Sequence, residues 1–170
     1  MNLAVATIED AVGIAEAHIR SWQVAYAEIL DGSWLTSLSV EKRAEKWQEI
    51  LAAGESETVV SADQTGITGF VSFGHCRDEQ APQGRGEIWA LYVHPDAWGK
   101  GHGRSLLQYA IRALHESGFQ DVSLWVLSKN QRGIDFYEAH GFGRVEGVGK
   151  LLELGGRKVE EVQYVRKHGA

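Results

Sequence analysis

Residues 87–104 read EIWALYVHPDAWGKGHGR, and this stretch decides the fold. Its first half, EIWALYV, is rich in aromatic and β-branched residues and reads as a strand. Pro95 and Asp96 turn the chain. Gly99, Gly101 and Gly103 then alternate with other residues, and Leu106, Leu107, Ala110, Ile111 and Leu114 follow at helical spacing up to Gly118. A strand that passes through a glycine loop into a helix presents free backbone N–H groups at the positive end of the helix dipole, which makes an anion site. Gly101 and Gly103 would remove Cβ atoms from the approach, and Lys100 or Arg104 can add charge.

Two familiar phosphate loops fail on spacing. A Walker A loop needs GK followed at once by Ser or Thr, but Gly99-Lys100 is followed by Gly101. A dinucleotide loop needs G-x-G-x-x-G, and GKGHGRS has no glycine at the third place. From the residues alone, an anion-binding loop and a plain tight turn with helix-capping glycines both stay open.

Outward from this centre, NLAVA near the start is a short strand. Thr7 and Asp10 form a capping-box pattern that opens a helix running toward Leu30, where DGS breaks it. Ser39 can cap a second helix that stops at Gly54. ETVVSAD and ITGFVSFGHCRD, joined by QTG, read as two antiparallel strands. Past Gly118, DVSLWVL is a strand, NQRGIDFYEAHG a short helix with Asn130 at its start, and the tail a closing hairpin. The order β-α-α-β-β-β-α-β-α-β-β gives an α/β or α+β domain with a mixed sheet.

The 170 residues suit one domain, residues 1–170, with no repeat, low-complexity tract or linker to divide it. Seventeen basic against 23 acidic side chains leave a net charge of -6, which argues against nucleic acid or an anionic membrane and mildly suits an amine substrate. The single cysteine, Cys76, cannot form an internal disulfide. The N-terminus lacks a basic n-region, and no apolar run reaches the length of a membrane span. A reducing cytoplasm is the expected location.

Residues 87–104 resemble the central motif of the GCN5-related N-acetyltransferases (GNAT), in which a strand ending near V-x-P runs into [Gln/Arg]-x-x-Gly-x-Gly/Ala and a long helix. NQRGIDFYEAHGF at 130–142 resembles the second motif, N-x-x-[A/G]-x-x-F-Y-E-x-x-G-F. The pair is much more specific than either half, and together they cover roughly residues 57–147. Trp98 departs from the pattern, standing where the family prefers Gln or Arg.

The resemblance implies a mixed, mostly antiparallel central sheet whose two central parallel strands splay apart, flanked by helices. It implies acetyl-CoA as cofactor, and transfer to a primary amine, on a small molecule or a peptide N-terminus, by direct attack and without metal. Carried over by position, the backbone of Leu91, Tyr92 and Val93 would meet the pantetheine arm. Trp98, Gly99, Lys100, Gly101, His102, Gly103 and Arg104 would cradle the pyrophosphate, and Asn130 would reach the cofactor's amide region. The Leu91 N–H is the candidate oxyanion donor. Tyr137 matches the family's acid for the departing thiolate, since an ordinary phenol is protonated at neutral pH. Glu87 lies where the histone-modifying branch carries its base. Of the nearby histidines, His94 and His102 read as loop residues and His75 as strand surface.

Within HIRSWQVAYAEIL, Trp22 and Tyr26 share a helix face and can line an acceptor pocket, with Glu28 or Asp31 holding a charge and Trp89 facing the same cleft. Packing of both aromatics against the sheet is the competing reading. Family members are often dimers, so a homodimer is an expectation. The rival from another class is a non-catalytic acyl-CoA-binding or regulatory module on the same fold.

Overall fold

The computed structural model describes residues 1–167 and 169. The chain forms β1 (Asn2–Val5), α1 (Ala11–Ala25), α2 (Gly32–Ser37), α3 (Val40–Ala53), β2 (Glu57–Asp63), β3 (Gly66–His75), β4 (Arg85–Val93), α4 (His102–Glu116), β5 (Asp121–Leu127), α5 (Gln131–Glu138), β6 (Gly143–Leu154) and β7 (Arg157–Arg166). Among the described residues, seven strands make one sheet in the order β1-β2-β3-β4-β5-β7-β6. Of these strands β4 and β5 pair parallel, and the other described pairs are antiparallel.

The capping signals act as their chemistry requires. The Asp10 carboxylate accepts from the Thr7 N–H at 2.8 Å ahead of α1. Ser39 Oγ accepts from the Lys42 N–H at the start of α3, and Gly54 ends that helix in the left-handed region at φ 64°. One element differs from the sequence reading. Helix α1 stops at Ala25 rather than near Leu30, and DGS opens a short helix instead of a plain break. Asp31 and Ser33 are a cap as well as a breaker: Asp31 Oδ1 accepts from the Trp34 N–H at 3.0 Å and starts α2.

Side chains separate onto two faces. Ile88, Val93, Leu106, Leu107, Ala110, Val122, Leu124, Val126, Ile134 and Val162 form a core under α4 and α5. Ala11, Ile14, Ala15, Trp47, Val60 and Phe70 pack α1 and α3 on the opposite face, and Tyr26, Leu30, Leu35 and Leu127 extend that layer. The alternation of β5 follows directly: Leu124 and Val126 face α4, while Trp125 and Leu127 face α1 and α2.

The sheet opens between β4 and β5. Their pairing begins at Arg85↔Asp121 and ends at Ile88↔Leu124, so Trp89–Val93 leave the β5 partner behind. A bulge marks the point of departure. Ser72 lies opposite Ala90 and Phe73 opposite Ile88, which makes Trp89 the extra residue on β4. An inserted residue increases local twist and bends the strand away, as the splay requires.

Candidate active site

The splay leaves a cleft of about 210 Å³ that passes from one face of the sheet to the other. On the α4 and α5 side it is lined by Leu91, Val93, Trp98, Gly103, Asn130, Arg132, Phe136 and Tyr137. On the α1 side it is lined by Ser21, Ala25, Tyr26, Trp89, Ala90, Tyr92, Trp125 and Glu161.

The β3–β4 ladder says which backbone groups face this opening. The His94 N–H donates to the Thr68 carbonyl at 2.7 Å, and antiparallel pairs alternate, so Tyr92 and Ala90 exchange bonds with β3. Leu91 and Val93, between them, turn their N–H and C=O groups toward the strand that has left. Two N–H donors therefore line the gap.

The glycine loop closes one end. Gly99 at φ 75° and Gly101 at φ 90° occupy the left-handed region, and Gly101 caps α4 from there. Gly103 lines the cleft beside Val93 and Phe136. Lys100 on the loop and Arg104 in the first turn of α4 are exposed. The His102 ring turns away, buried in the sheet with Nδ1 at 2.8 Å from Thr68 Oγ1 and 3.1 Å from Ser61 Oγ, so only its backbone belongs to the loop.

Trp98 has a defined place. Its indole N–H donates to the Val93 carbonyl at 2.7 Å, and its ring carries the Arg132 guanidinium 3.9 Å from the ring centroid. Arg132, from α5, thus brings a cation beside position 98. Asn130 Oδ1 accepts from the Gly133 N–H at 3.1 Å to cap α5, which leaves its amide N–H groups as donors at the cleft wall. A Cβ on residue 133 would fall 2.5 Å from Asn130 Nδ2, which accounts for the glycine.

Tyr137 projects from α5 into the cleft. Burial, and then the neighbouring Tyr92, push its phenol well above the ordinary tyrosine value. Burial also raises Tyr26 and Tyr92, whose phenols meet each other in the wall. All three are neutral donors at physiological pH.

The remaining sequence candidates divide. Tyr26 and Trp89 line the cleft. Trp22 stands a layer behind, packed on Tyr26, Trp34, Tyr92 and His18, and does not line it. Glu28 is exposed and Asp31 caps α2, so neither charge faces the cleft. Glu87 is also held out of it. The residue is 1% exposed, and its carboxylate accepts from the Arg77 backbone N–H at 2.8 Å and from Arg77 Nε at 3.2 Å and Nη2. The guanidinium held this way lies 4.6 Å from the centroid of the Trp89 ring, and the Trp89 indole donates to the His75 carbonyl. Arg77 and Trp89 form a wall shared with a second cavity of about 480 Å³ that His18, Trp47 and Ile50 help to line.

Sequence reasoning missed Arg132, Trp125, Lys150 and Glu161. Arg132 sits inside the quoted NQRGIDFYEAHGF stretch, where its guanidinium beside two carboxylates was the available signal. Trp125, Lys150 and Glu161 come together only through the register of β5, β7 and β6.

The Acetyltransferase (GNAT) family model matches residues 17–142. The chain is 34% identical over 158 residues to the uncharacterized N-acetyltransferase YuaI of Bacillus subtilis strain 168, covering 92% of this chain and 87% of that protein. Its fold is similar to that of the PaiA N-acetyltransferase from Thermoplasma acidophilum in complex with coenzyme A. There the TM-score is 0.73 at 22% identity, over 99% of this chain and 100% of the other. The yncA structure from Salmonella typhimurium with its cofactor acetyl-CoA gives a TM-score of 0.73 at 23% identity, covering 100% and 96%.

Proposed function

The chain belongs to the acetyltransferase (GNAT) family, and from that premise we propose that it transfers an acetyl group from acetyl-CoA to a primary amine by direct attack within the β4–β5 cleft. The observation that carries this is the meeting of three features in one opening: the cleft-facing N–H groups of Leu91 and Val93, the Tyr137 hydroxyl, and the glycine loop at the start of α4.

The residues fit the cofactor. The two β4 N–H groups receive the pantetheine arm as an added strand would. The backbone of residues 99–104 takes the pyrophosphate at the α4 N-terminus, with Lys100, Arg104 and Arg132 supplying charge. When bound, acetyl-CoA supplies the thioester whose acyl carbon the amine attacks and whose thiolate departs. The Leu91 N–H donates to the oxygen that gains charge. Tyr137 holds its proton against the departing sulfur. A phenol raised this far is a weaker acid than a thiol, so it acts by donating a hydrogen bond rather than by giving up its proton outright.

Glu87 has a positioning role in this reading. Its oxygens are already taken by Arg77, and the acceptor's proton leaves through the open cleft to solvent. A non-catalytic acyl-CoA module is the alternative, and the Tyr137 hydroxyl in the cleft speaks against it. Free-thiol release from acetyl-CoA across a panel of primary amines tests the proposal, with CoA affinity measured in parallel. Thiol release that depends on the amine supports it; CoA binding without thiol release from any amine favours the alternative.

No helix among the described residues is long and apolar enough to cross a membrane.

A further inference from the structure

On the α1 side of the cleft the protein holds an ammonium group of its own. Lys150 Nζ lies 4.2 Å from the centroid of the Trp125 ring and 3.2 Å from Glu161 Oε2. All three residues line the cleft that Tyr137 enters. Their convergence is set by the sheet: Lys150 pairs with Glu161 across β6–β7, Glu161 pairs with Leu127 across β7–β5, and Trp125 is two residues along on the same face. An aromatic face joined to a carboxylate is a binding site for an alkylammonium ion, and the lysine shows that one fits.

The occupant is replaceable and the box is not. The Lys150 side chain is 48% exposed and Glu161 24%, so the long flexible lysine can swing into solvent while the carboxylate stays in the wall. A half-exposed ion pair of this kind is weak. Charge points the same way. On this side of the sheet Arg77 is matched by buried Glu87, and Lys150 by Glu161. With Lys150 withdrawn, Glu161 is left without its ion-pair partner, near the phenols of Tyr26 and Tyr92 that it already influences.

We propose that Trp125 and Glu161 form the subsite for a second, non-reacting ammonium group of the acceptor, and that Lys150 fills it until the acceptor arrives. This rests on the acetyltransferase reading and names the acceptor class, an amine with a second cationic centre. The box cannot serve the reacting nitrogen. A carboxylate and a π face favour the charged form of an amine, whereas attack on a thioester needs the neutral form. The same environment suits an anchor that stays protonated.

The test compares α,ω-diamines of three to six carbons with n-alkylamines of the same length, using thiol release from acetyl-CoA by the full chain. The quantity read is the ratio of kcat/KM for the diamine to that for the matched monoamine. In the wild type one diamine length is favoured. Glu161→Gln lowers that preference about tenfold, mainly through KM, while Lys150→Met raises it several-fold because the competitor is gone. Trp125→Leu, read the same way, keeps the test standing should Glu161→Gln fail to fold. Thiol release with ratios unchanged in all three variants overturns this inference alone and leaves Lys150 as a clip between β6 and β7. Absence of thiol release with every amine overturns the acetyltransferase reading and this inference with it.

Discussion

The Trp98 indole N–H is bonded to the Val93 carbonyl at 2.7 Å, which ties the glycine loop to the end of the strand whose splay makes the cleft. The same ring carries Arg132 at 3.9 Å. One residue thus fixes the loop from below and holds a cation from above. Arg132→Ala should raise KM for acetyl-CoA by about threefold to tenfold with little change in kcat, as loss of uniform binding does. Trp98→Ala should cost more, because the Val93 anchor goes as well. The double variant should be less impaired than the product of the two single effects, since Arg132 has lost its platform already. Steady-state kinetics with acetyl-CoA as the varied substrate checks all three.

Tyr137→Phe keeps the ring in its place against Phe136 and Phe142 and removes only the hydroxyl. The expected effect is a fall in kcat of roughly 10²-fold with KM for acetyl-CoA nearly unchanged. Because burial holds the phenol above the ordinary tyrosine range, the wild-type pH–rate profile between about pH 6 and 9 should contain no limb that disappears in the variant. A limb that does vanish would mean that Tyr137 titrates in that window.

Glu87→Gln separates the two roles considered for this carboxylate. If it positions Arg77, the shape of the pH–rate profile stays as in the wild type, while stability falls by about 1–3 kcal/mol because the charged acceptor of the Arg77 bonds is lost. Loss of the acidic limb of the profile would instead identify Glu87 as the base. Denaturant melts and kcat/KM against pH give the two readouts.

His18 makes a measurable contribution to acid sensitivity. Burial, and then the charge of Arg43, push its imidazole down to about 3, and the Trp47 indole donates to its Nδ1 at 3.2 Å. The unfolded chain binds the proton near pH 6.5 and the folded chain does not. The stabilisation is therefore complete above pH 6.5 and is lost as pH falls toward 3, at up to about 1.4 kcal/mol per pH unit. Denaturant melts between pH 6.5 and 5.5, above the range of ordinary carboxylates, should show this slope. His18→Gln should be less stable at pH 7 yet lack that part of it.

Gly69→Ala tests the packing behind the splay. A Cβ there would meet the Tyr92 carbonyl at 2.8 Å and the Val93 Cα at 3.1 Å, both backbone-fixed. The β3–β4 pair must shift opposite Val93, at the far end of the splayed segment, with an expected loss of about 1–3 kcal/mol. Thermal melting provides the check.

Much of this was legible in the chain, for physical reasons. EIWALYV, the glycines at 99, 101 and 103, and the apolar spacing behind them carry local signals for a strand, a glycine loop and an amphipathic helix, and each forms where expected. NQRGIDFYEAHGF likewise contains its own cap at Asn130 and places Tyr137 in the cleft. What the chain hid are relations between distant segments. Trp98 looked like a departure from the motif because its partners, Val93 and Arg132, meet it only when α5 packs beside the loop. Glu87 sat at the spacing of a base, and nothing local announced that Arg77 would cover it from the β3–β4 loop. Trp125, Lys150 and Glu161 lie on three strands whose pairing β5-β7-β6 inverts chain order, so no window of sequence holds them together.

The most direct test of acetyl transfer in this cleft uses acetyl-CoA labelled with ¹³C in the acetyl group, mixed with the protein and a panel of primary amines and followed by mass spectrometry. Direct transfer in the cleft gives labelled N-acetyl amine, with one free thiol per product and no labelled protein intermediate. Tight CoA binding with no labelled product from any primary amine would contradict it.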